Sequence, residues 1–378
     1  MPDKSVNNTP QTTGLEFEGV TVTKEVMDYQ IKRDPILSRT IRCVTRDASV
    51  ESKAITTKNG VTIFTGNNLI RNAGISDTYN IVLGYEAVTE PLEIDTIRST
   101  IKAMTALQHR LGDIYSPRSS VHVHVGFPNG LIFLKGAVRL GEKVEPLMYK
   151  LAGMTREFRG LKNDSAYCRS LSNPPAIRLS DRRGAAILNM GQAKSAKTID
   201  EFWASFGIST SERNRYTPLR YLAINVFSIL LRGTLEWRFF GYSDVAAHTE
   251  AVTSLCRYVS ELMIKLPLDT INSIPQLNLF SENHDGDYID LLNALVKLGR
   301  RYRTQLNISV DDYYNLIFLI ENTPQPILSS KPTLTHLKEY EMSFGRATSY
   351  GLNFVEEAKY PDIVDIHTFE KTERILGE

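Results

Sequence analysis

The sequence contains few cysteines and no long apolar stretch. Its three cysteines, Cys43, Cys168 and Cys256, are far apart and do not show the spacing of a zinc knuckle, so we expect neither a disulfide framework nor a cysteine metal site. The longest apolar run covers residues 222–231 and is too short to span a bilayer. The first 13 residues are polar and lack the apolar core of a signal peptide. We therefore expect a soluble, cytoplasmic protein with reduced thiols and no membrane association.

An excess of charge of one sign is also missing. The chain has 44 lysine and arginine residues against 43 aspartate and glutamate residues, a formal net charge of +1. A nucleic-acid footprint over the whole chain needs a clear positive excess, so no strong nucleic-acid signal is present. Two basic clusters, at residues 180–185 and 298–303, are candidate anion sites, although such clusters are more often solvated faces. Hydrophobic residues make up 42% of the chain, which is enough for a sizeable core.

The hydrophobic period changes several times along the chain. Alternation of apolar and polar residues predicts strands. Residues 53–66 are predicted to be extended, and the Asn59-Gly60 pair within them predicts a hairpin turn. The other predicted strands cover 14–22, 42–51, 79–92, 120–127 and 233–242. Spacings of three and four predict helices, at about 96–111, 135–153, 198–207, 244–265, 288–304, 310–321 and 334–346. This order predicts an α+β fold, with helices packed on one side of a mostly antiparallel sheet.

Three predicted strands carry pairs of polar functional groups at positions i and i+2. Side chains two residues apart on a strand point to the same face, so each pair shares a face while apolar residues occupy the alternate positions. A fourth strand adds a single carboxylate. The residues are Glu16 and Glu18, His122 and His124, Glu236 and Arg238, and Glu86.

Two interpretations of these polar faces compete. A solvent-exposed face of a half-buried sheet is the simpler one, but such a face usually carries lysine, threonine, serine and glutamine. Carboxylates and imidazoles are ligands that suit Mg²⁺ or Mn²⁺, and clustered carboxylates are costly unless a cation neutralises them. The His-x-His pair alone also suits a zinc hydrolase, although the other five histidines show no supporting motif.

Five motifs occur in an order that resembles the amidoligase family. They are "GLEFE" (14–18), "RDASV" (46–50), "GYEAVTEPL" (84–92), "SVHVHVG" (120–126) and "RYLAIN" (220–225) with "RGTLEWRFF" (232–240). That family is a phage and bacterial branch of the carboxylate–amine ligases with a glutamine synthetase-like fold. The resemblance covers about residues 14–242, and the helical C-terminal third carries no motif of the family.

The resemblance implies a curved, mostly antiparallel sheet that forms a funnel, with ATP and Mg²⁺ or Mn²⁺ as cofactors. The implied reaction transfers the γ-phosphoryl group of ATP to a carboxylate, and an amine then displaces phosphate from the acyl phosphate. The substrates are then a small-molecule or peptide carboxylate and an amine. The expected organisation is a flexible tail (1–13) and one catalytic domain (14–378), with a sheet-bearing core (14–242) and a mainly helical part (243–378). The oligomeric state is left open.

The resemblance also implies roles for individual residues. His124 matches a histidine near the nucleotide phosphates, and Arg238 matches a catalytic arginine that faces the phosphoryl group or the substrate carboxylate. The implied metal ligands are Glu16, Glu18, Glu86, His122 and Glu236.

Further matches concern substrate and nucleotide contacts. Asp47 is a candidate for the amine site, and Arg169 lies in a loop that is a candidate substrate contact. Arg220 and Asn225 match an arginine–asparagine element that binds phosphate or supports the site. The long polar segment 156–217 is expected to cover the mouth of the funnel.

Three other functions remain open on the sequence alone. A His-x-His hydrolase would act without nucleotide, whereas a ligase releases ADP and phosphate only with both substrates. A non-catalytic relative would serve as a binding or structural protein, but every expected type of metal ligand is present. A kinase is the third alternative, because phosphagen kinases share the same fold.

Overall fold

The computed structural model describes part of the chain. Its described residues are 12–19, 22–46, 52–56, 62–66, 81–111, 120–151, 171, 189–208, 220, 222–241, 246–274, 291 and 293–298. The predictions for Asp47, Arg169, the Asn59-Gly60 turn, residues 1–11, most of 156–217 and the helices at 310–321 and 334–346 lie outside these residues.

Nine strands form two sheets in the described part of the chain. The larger sheet has six strands in the order β2-β6-β1-β7-β9-β8, and the smaller has the order β4-β3-β5. The strands are β1 (Thr13–Gly19), β2 (Ile41–Thr45), β3 (Ser52–Thr56), β4 (Thr62–Gly66), β5 (Ile81–Leu83), β6 (Tyr85–Thr89), β7 (Ser120–Gly126), β8 (Ile224–Asn225) and β9 (Thr234–Gly241). The predicted α+β class with a mostly antiparallel sheet is confirmed.

Nine helices accompany the strands in the described ranges up to residue 274. They are α1 (Lys24–Arg33), α2 (Leu37–Thr40), α3 (Ile94–Arg110), α4 (Leu131–Leu151), α5 (Met190–Ser195), α6 (Ile199–Ala204), α7 (Phe227–Arg232), α8 (Ala246–Lys265) and α9 (Leu268–Ser273). No helix in these ranges is both long enough and apolar enough to traverse a bilayer. Residues 293–298 are also helical, in agreement with part of the helix predicted at 288–304.

The chain divides into two compact units. The N-terminal unit contains Gly14–His122 and Phe240–Thr249, and the central unit contains Val123–Phe239 and the described residues from Glu250 onward. The boundary cuts β7 between His122 and Val123. That residues 14–378 form a single catalytic domain stays a prediction.

In the N-terminal unit, β6 pairs with β1 and β2, and both pairs are antiparallel. Leu15, Phe17, Tyr85 and Ala87 are almost fully buried, and their alternation along β1 and β6 places them on one face of the sheet. On this face the Gln108 amide of α3 donates a 2.7 Å hydrogen bond to the Tyr85 hydroxyl. Helix α3 therefore covers the apolar face, and the opposite face carries the glutamates.

Two helix starts in the N-terminal unit differ from the sequence-based prediction. Helix α1 was not predicted; Thr23 caps it, since the threonine hydroxyl accepts a 3.2 Å hydrogen bond from the Val26 N–H. Helix α3 begins at Ile94 with Glu93 as its N-cap, slightly before the predicted start at about residue 96. The Thr96 hydroxyl instead donates to the Glu93 carbonyl.

The smaller sheet also lies in the N-terminal unit. Strands β3 and β4 are antiparallel, with Ser52 opposite Gly66 and Thr56 opposite Thr62. Five residues therefore connect the two strands, a length that suits a hairpin. This pairing agrees with the hairpin predicted for residues 53–66.

In the central unit, β8 and β9 are antiparallel, with Asn225 opposite Glu236 and Ile224 opposite Trp237. The buried Trp237 indole donates a 3.1 Å hydrogen bond to the Ser260 hydroxyl of α8, so α8 covers the Trp237 face of β9. Glu236 and Arg238 alternate with Trp237 and therefore project from the other face.

Helices α4 and α8 approach each other closely in the central unit. A Cβ atom at Gly136 would lie 2.4 Å from the Met263 carbonyl oxygen, which is much closer than non-bonded atoms tolerate. Glycine at this position therefore permits the close packing of the two helices.

Candidate metal-binding site

Four polar side chains of the N-terminal unit form a buried cluster, which we call the acidic cluster: Glu16, Glu18, Ser120 and His122. Glu16 and Glu18 lie on β1, and Ser120 and His122 lie on the first part of β7. Each member is at most 6% exposed. The interpretation of these strand pairs as a solvent-exposed face is therefore wrong.

The imidazole of His122 is held at both ring nitrogens. Its Nδ1 atom lies 3.0 Å from Glu16 Oε2, and its Nε2 atom lies 2.9 Å from the Ser120 hydroxyl oxygen. The Ser120 hydroxyl also donates a hydrogen bond to Glu18 Oε2. The cluster is thus a chain of contacts that runs from Glu16 through His122 and Ser120 to Glu18.

Glu86 lies beside this cluster on β6. It is directly opposite Glu18 in the pairing of β1 with β6, so the two side chains project from the same face of the sheet. Glu86 is half-buried. Like charges directly opposite each other on paired strands are destabilising, and here a third carboxylate lies two residues from Glu18 on the same face.

The carboxylates of this face affect the pKa of the Cys43 thiol on β2. Burial raises the pKa of Cys43, and the carboxylates of Glu86 and Glu16 raise it further, although Arg42 opposes them. Cys43 is exposed and lies opposite Val88 of β6. Burial is the largest cause of the raised pKa of Cys43, and the carboxylates of this face add to it.

The hydrogen bonds of the acidic cluster fit a cation next to Glu16. The Ser120 hydroxyl has one proton, and the Glu18 carboxylate can only accept it. Ser120 must then accept from the Nε2–H of His122, so the neutral form of this imidazole would carry its lone pair on Nδ1. Two lone-pair atoms, Nδ1 and Glu16 Oε2, then lie 3.0 Å apart, a contact that is favourable only with a proton or a metal ion between them.

The same contacts could be compared with the hydroxyl–imidazole–carboxylate triad of a hydrolase. In such a triad the histidine takes the proton of the nucleophilic hydroxyl. Here the Ser120 hydroxyl donates to Glu18, and a carboxylate beside the oxygen opposes the formation of an alkoxide. Ser120 is also only 3% exposed. The arrangement therefore favours cation binding over a serine nucleophile.

The central unit contains a second buried polar group around Glu236. Glu236 Oε2 accepts a 2.6 Å hydrogen bond from the Asn225 amide, and Glu236 Oε1 accepts a hydrogen bond from the Arg238 guanidinium. The three residues are at most 8% exposed. Arg238 already neutralises Glu236, so this carboxylate needs a cation less than the carboxylates of the acidic cluster do.

His124 belongs to the same group in the central unit. Its Nδ1 atom lies 3.2 Å from the Thr234 hydroxyl, which in turn lies 3.1 Å from the Ser228 hydroxyl. The His124 Nε2 atom is 3.9 Å from Glu236 Oε1. Asn225 also accepts a 3.3 Å hydrogen bond from the Ser228 N–H, so its amide is fixed in the orientation that donates to Glu236.

The structure brings some of the predicted site residues together. Glu16, Glu18 and His122 are in contact, and Glu86 shares their face. Glu236, Arg238, Asn225 and His124 are associated within the central unit, and a shared centre of Glu236 with the acidic cluster stays a prediction. Arg220 is half-buried, and its role stays a prediction.

Three hydroxyl residues of these groups were not among the predicted site residues. Ser120 is two residues before His122 on β7, and Thr234 is two residues before Glu236 on β9. The period-two pattern that identified the charged pairs therefore also contains Ser120 and Thr234. Ser228 shows no such signal, because it lies on α7.

The chain matches no protein-family model, and a search of curated proteins finds no significant match. The resemblance to the amidoligase family therefore stays a prediction that depends on the five motifs.

Proposed function

We propose that this protein is an ATP-dependent carboxylate–amine ligase that uses divalent cations, Mg²⁺ or Mn²⁺. The observation that carries the proposal is the acidic cluster, because buried carboxylates and an imidazole at hydrogen-bond distance are a donor set suited to these ions. The resemblance of the motifs supplies the reaction class. The proposal includes a glutamine synthetase-like funnel, which the antiparallel sheet and the α+β class support.

Glu16, Glu18, Glu86 and His122 are the residues that would hold the cations. A bound cation would neutralise the phosphate oxygens of ATP and polarise the phosphoryl group. The burial of Glu16, Glu18 and His122 shields these three side chains from water. Electrostatic interactions are stronger where water is excluded, so few protein charges are needed to orient the nucleotide phosphates.

Arg238 is proposed to stabilise charge on the transferring phosphoryl group or on the substrate carboxylate. Glu236 holds its guanidinium, and Asn225 holds Glu236. A guanidinium that is fixed before the reaction loses little entropy when it meets developing negative charge. Glu236 thus has a positioning role that does not depend on its predicted role as a metal ligand.

The proposed reaction involves no covalent bond to the protein. A carboxylate oxygen of the acid attacks the γ-phosphorus of ATP, and ADP leaves with the electrons of the broken P–O bond. The amine nitrogen then attacks the acyl carbon and loses a proton to solvent, and phosphate leaves as the amide forms. In such a reaction the protein contributes mainly positioning and charge neutralisation. His124 is proposed to contact the nucleotide phosphates, and Asp47 the incoming amine.

The test is a screen for ADP release from the purified protein. The assay contains ATP, Mg²⁺ or Mn²⁺, and pools of carboxylic acids and amines. A ligase forms ADP and phosphate only when an acid and an amine are both present. ADP without free phosphate would indicate a kinase, and product release without any nucleotide would indicate a hydrolase; either result would contradict the proposal.

A further inference from the structure

The side chain of Ser120 connects two members of the acidic cluster that do not bond to each other directly. Its hydroxyl donates to Glu18 Oε2 and lies 2.9 Å from His122 Nε2. The direct distance from His122 Nε2 to Glu18 Oε2 is 3.6 Å, which is too long for a normal hydrogen bond. The Ser120 hydroxyl therefore bridges His122 Nε2 and Glu18 Oε2.

A hydrogen bond at Nε2 decides which ring nitrogen is available to a cation. Histidines that bind metals usually donate their other ring N–H to a neighbouring acceptor, which fixes both the tautomer and the orientation of the ring. The acceptor here is the Ser120 hydroxyl, because its own proton is directed to Glu18. The nitrogen that remains is Nδ1, and it faces Glu16 at 3.0 Å.

We infer that Ser120 is a positioning residue of the cation site: it holds the Nε2–H of His122 so that Nδ1, together with Glu16, binds the divalent cation. This inference rests on the cation requirement of the proposed function and assigns the ligand atom on His122. Ser120 itself does not contact substrate or cation in this arrangement. Its position two residues before His122 on β7 places both side chains on one face of the strand.

The first experiment measures the binding of Mn²⁺ alone by isothermal titration calorimetry. Loss of an outer hydrogen-bond partner of a metal-binding histidine typically weakens metal affinity by about 10- to 100-fold, so we expect this loss in S120A. The S120T variant keeps a hydroxyl at the same position and should restore most of the affinity. A matched control is S205A. This variant removes another buried serine hydroxyl, which donates to the Phe202 carbonyl, and it should bind Mn²⁺ like the wild type.

The second experiment uses the wild type and therefore does not depend on the folding of S120A. The protein is loaded with ¹¹³Cd²⁺, and the ¹⁵N resonances of the His122 imidazole are recorded. We expect coupling between ¹¹³Cd and Nδ1, and a hydrogen on Nε2. Coupling between ¹¹³Cd and Nε2 would overturn the inference.

The outcomes separate the inference from the proposed function. If the wild type binds Mn²⁺ and S120A binds it equally well, Ser120 does not position His122, while the proposed function still stands. If S120A and S120T lose affinity alike, the hydroxyl is not the cause, and the inference fails. If the wild type binds no divalent cation, the cation requirement of the proposed function fails, and the inference fails with it.

Discussion

The substitution E86Q tests whether the acidic face of the N-terminal unit is destabilised by its own charge. Glu86 lies directly opposite Glu18, where side chains on antiparallel strands have Cβ atoms about 5 Å apart. Two unit charges at about this distance repel each other by roughly 3 kcal/mol at an effective dielectric constant of about 20. Glu86 is only half-buried, so solvent screens this repulsion. We expect E86Q to stabilise the metal-free protein by about 1 kcal/mol.

The effect of E86Q should reverse when Mn²⁺ is present. A ligand that binds only the folded state adds about 2.7 kcal/mol of stability at a concentration of about 100 times its Kd. The wild type should gain more stability from Mn²⁺ than E86Q does, because the amide of glutamine has no negative charge that attracts the cation. The wild type then becomes the more stable protein at saturating Mn²⁺.

The assay is urea denaturation in EDTA and in Mn²⁺, followed by circular dichroism. The matched control is E90Q, the same substitution at an exposed position just after β6, which should change stability little under either condition. The contradicting result is an E86Q protein that is less stable than the wild type in EDTA and gains as much stability from Mn²⁺ as the wild type does. The carboxylates would then neither repel one another nor bind the cation, and the reasoning would be refuted.

Three further predictions concern activity, thiol reactivity and packing. H122A should lower ADP formation by about two orders of magnitude, as expected for the loss of a contact that stabilises the transition state; full activity in a folded variant would remove the metal role of His122. The thiol of Cys43 should react faster with iodoacetamide at pH 8 in E86Q than in the wild type. Loss of the carboxylate lowers the pKa of Cys43 and so raises its thiolate fraction. An unchanged rate would show that Glu86 does not act on this thiol. G136A should reduce the free energy of unfolding by about 1–3 kcal/mol, because its Cβ would meet the Met263 carbonyl at 2.4 Å; wild-type stability in urea denaturation would contradict the close helix packing.

The strands that carry the site could be predicted because their signal is local. On β1 and β9, polar residues at i and i+2 alternate with large apolar residues such as Phe17 and Trp237, both of which are buried. Period two depends only on the chain's own extended geometry, so the shared face of Glu16 and Glu18 needs no tertiary information. The expectation of the observed helices α4 and α8 rested on a similar local period.

Contacts between strands could not be predicted in this way. The pairing of Glu18 with Glu86 depends on the register of two strands that lie 68 residues apart in the chain, and a shift by one residue would send one of the two side chains to the other face. The bridge from Ser120 to Glu18 connects positions 102 residues apart. Such contacts are selected by the packing of the whole sheet, and no local pattern contains them.

Helix α1 was missed for a different reason. Its buried residues are only Val26, Met27 and Ile31, so its apolar stripe is narrow, and the strand before it extends the alternating pattern towards it. The Thr23 cap was the available signal, because threonine three residues before a valine at the start of a helical spacing is typical of an N-terminus.

The most direct test of the cation site is an anomalous difference map from crystals of the wild-type protein grown with Mn²⁺. The account predicts a manganese peak within bonding distance of Glu16 and of the Nδ1 atom of His122, with Glu18 and Glu86 facing the same ion or a second ion beside it. A structure at saturating Mn²⁺ with no anomalous peak at the acidic cluster would contradict the account.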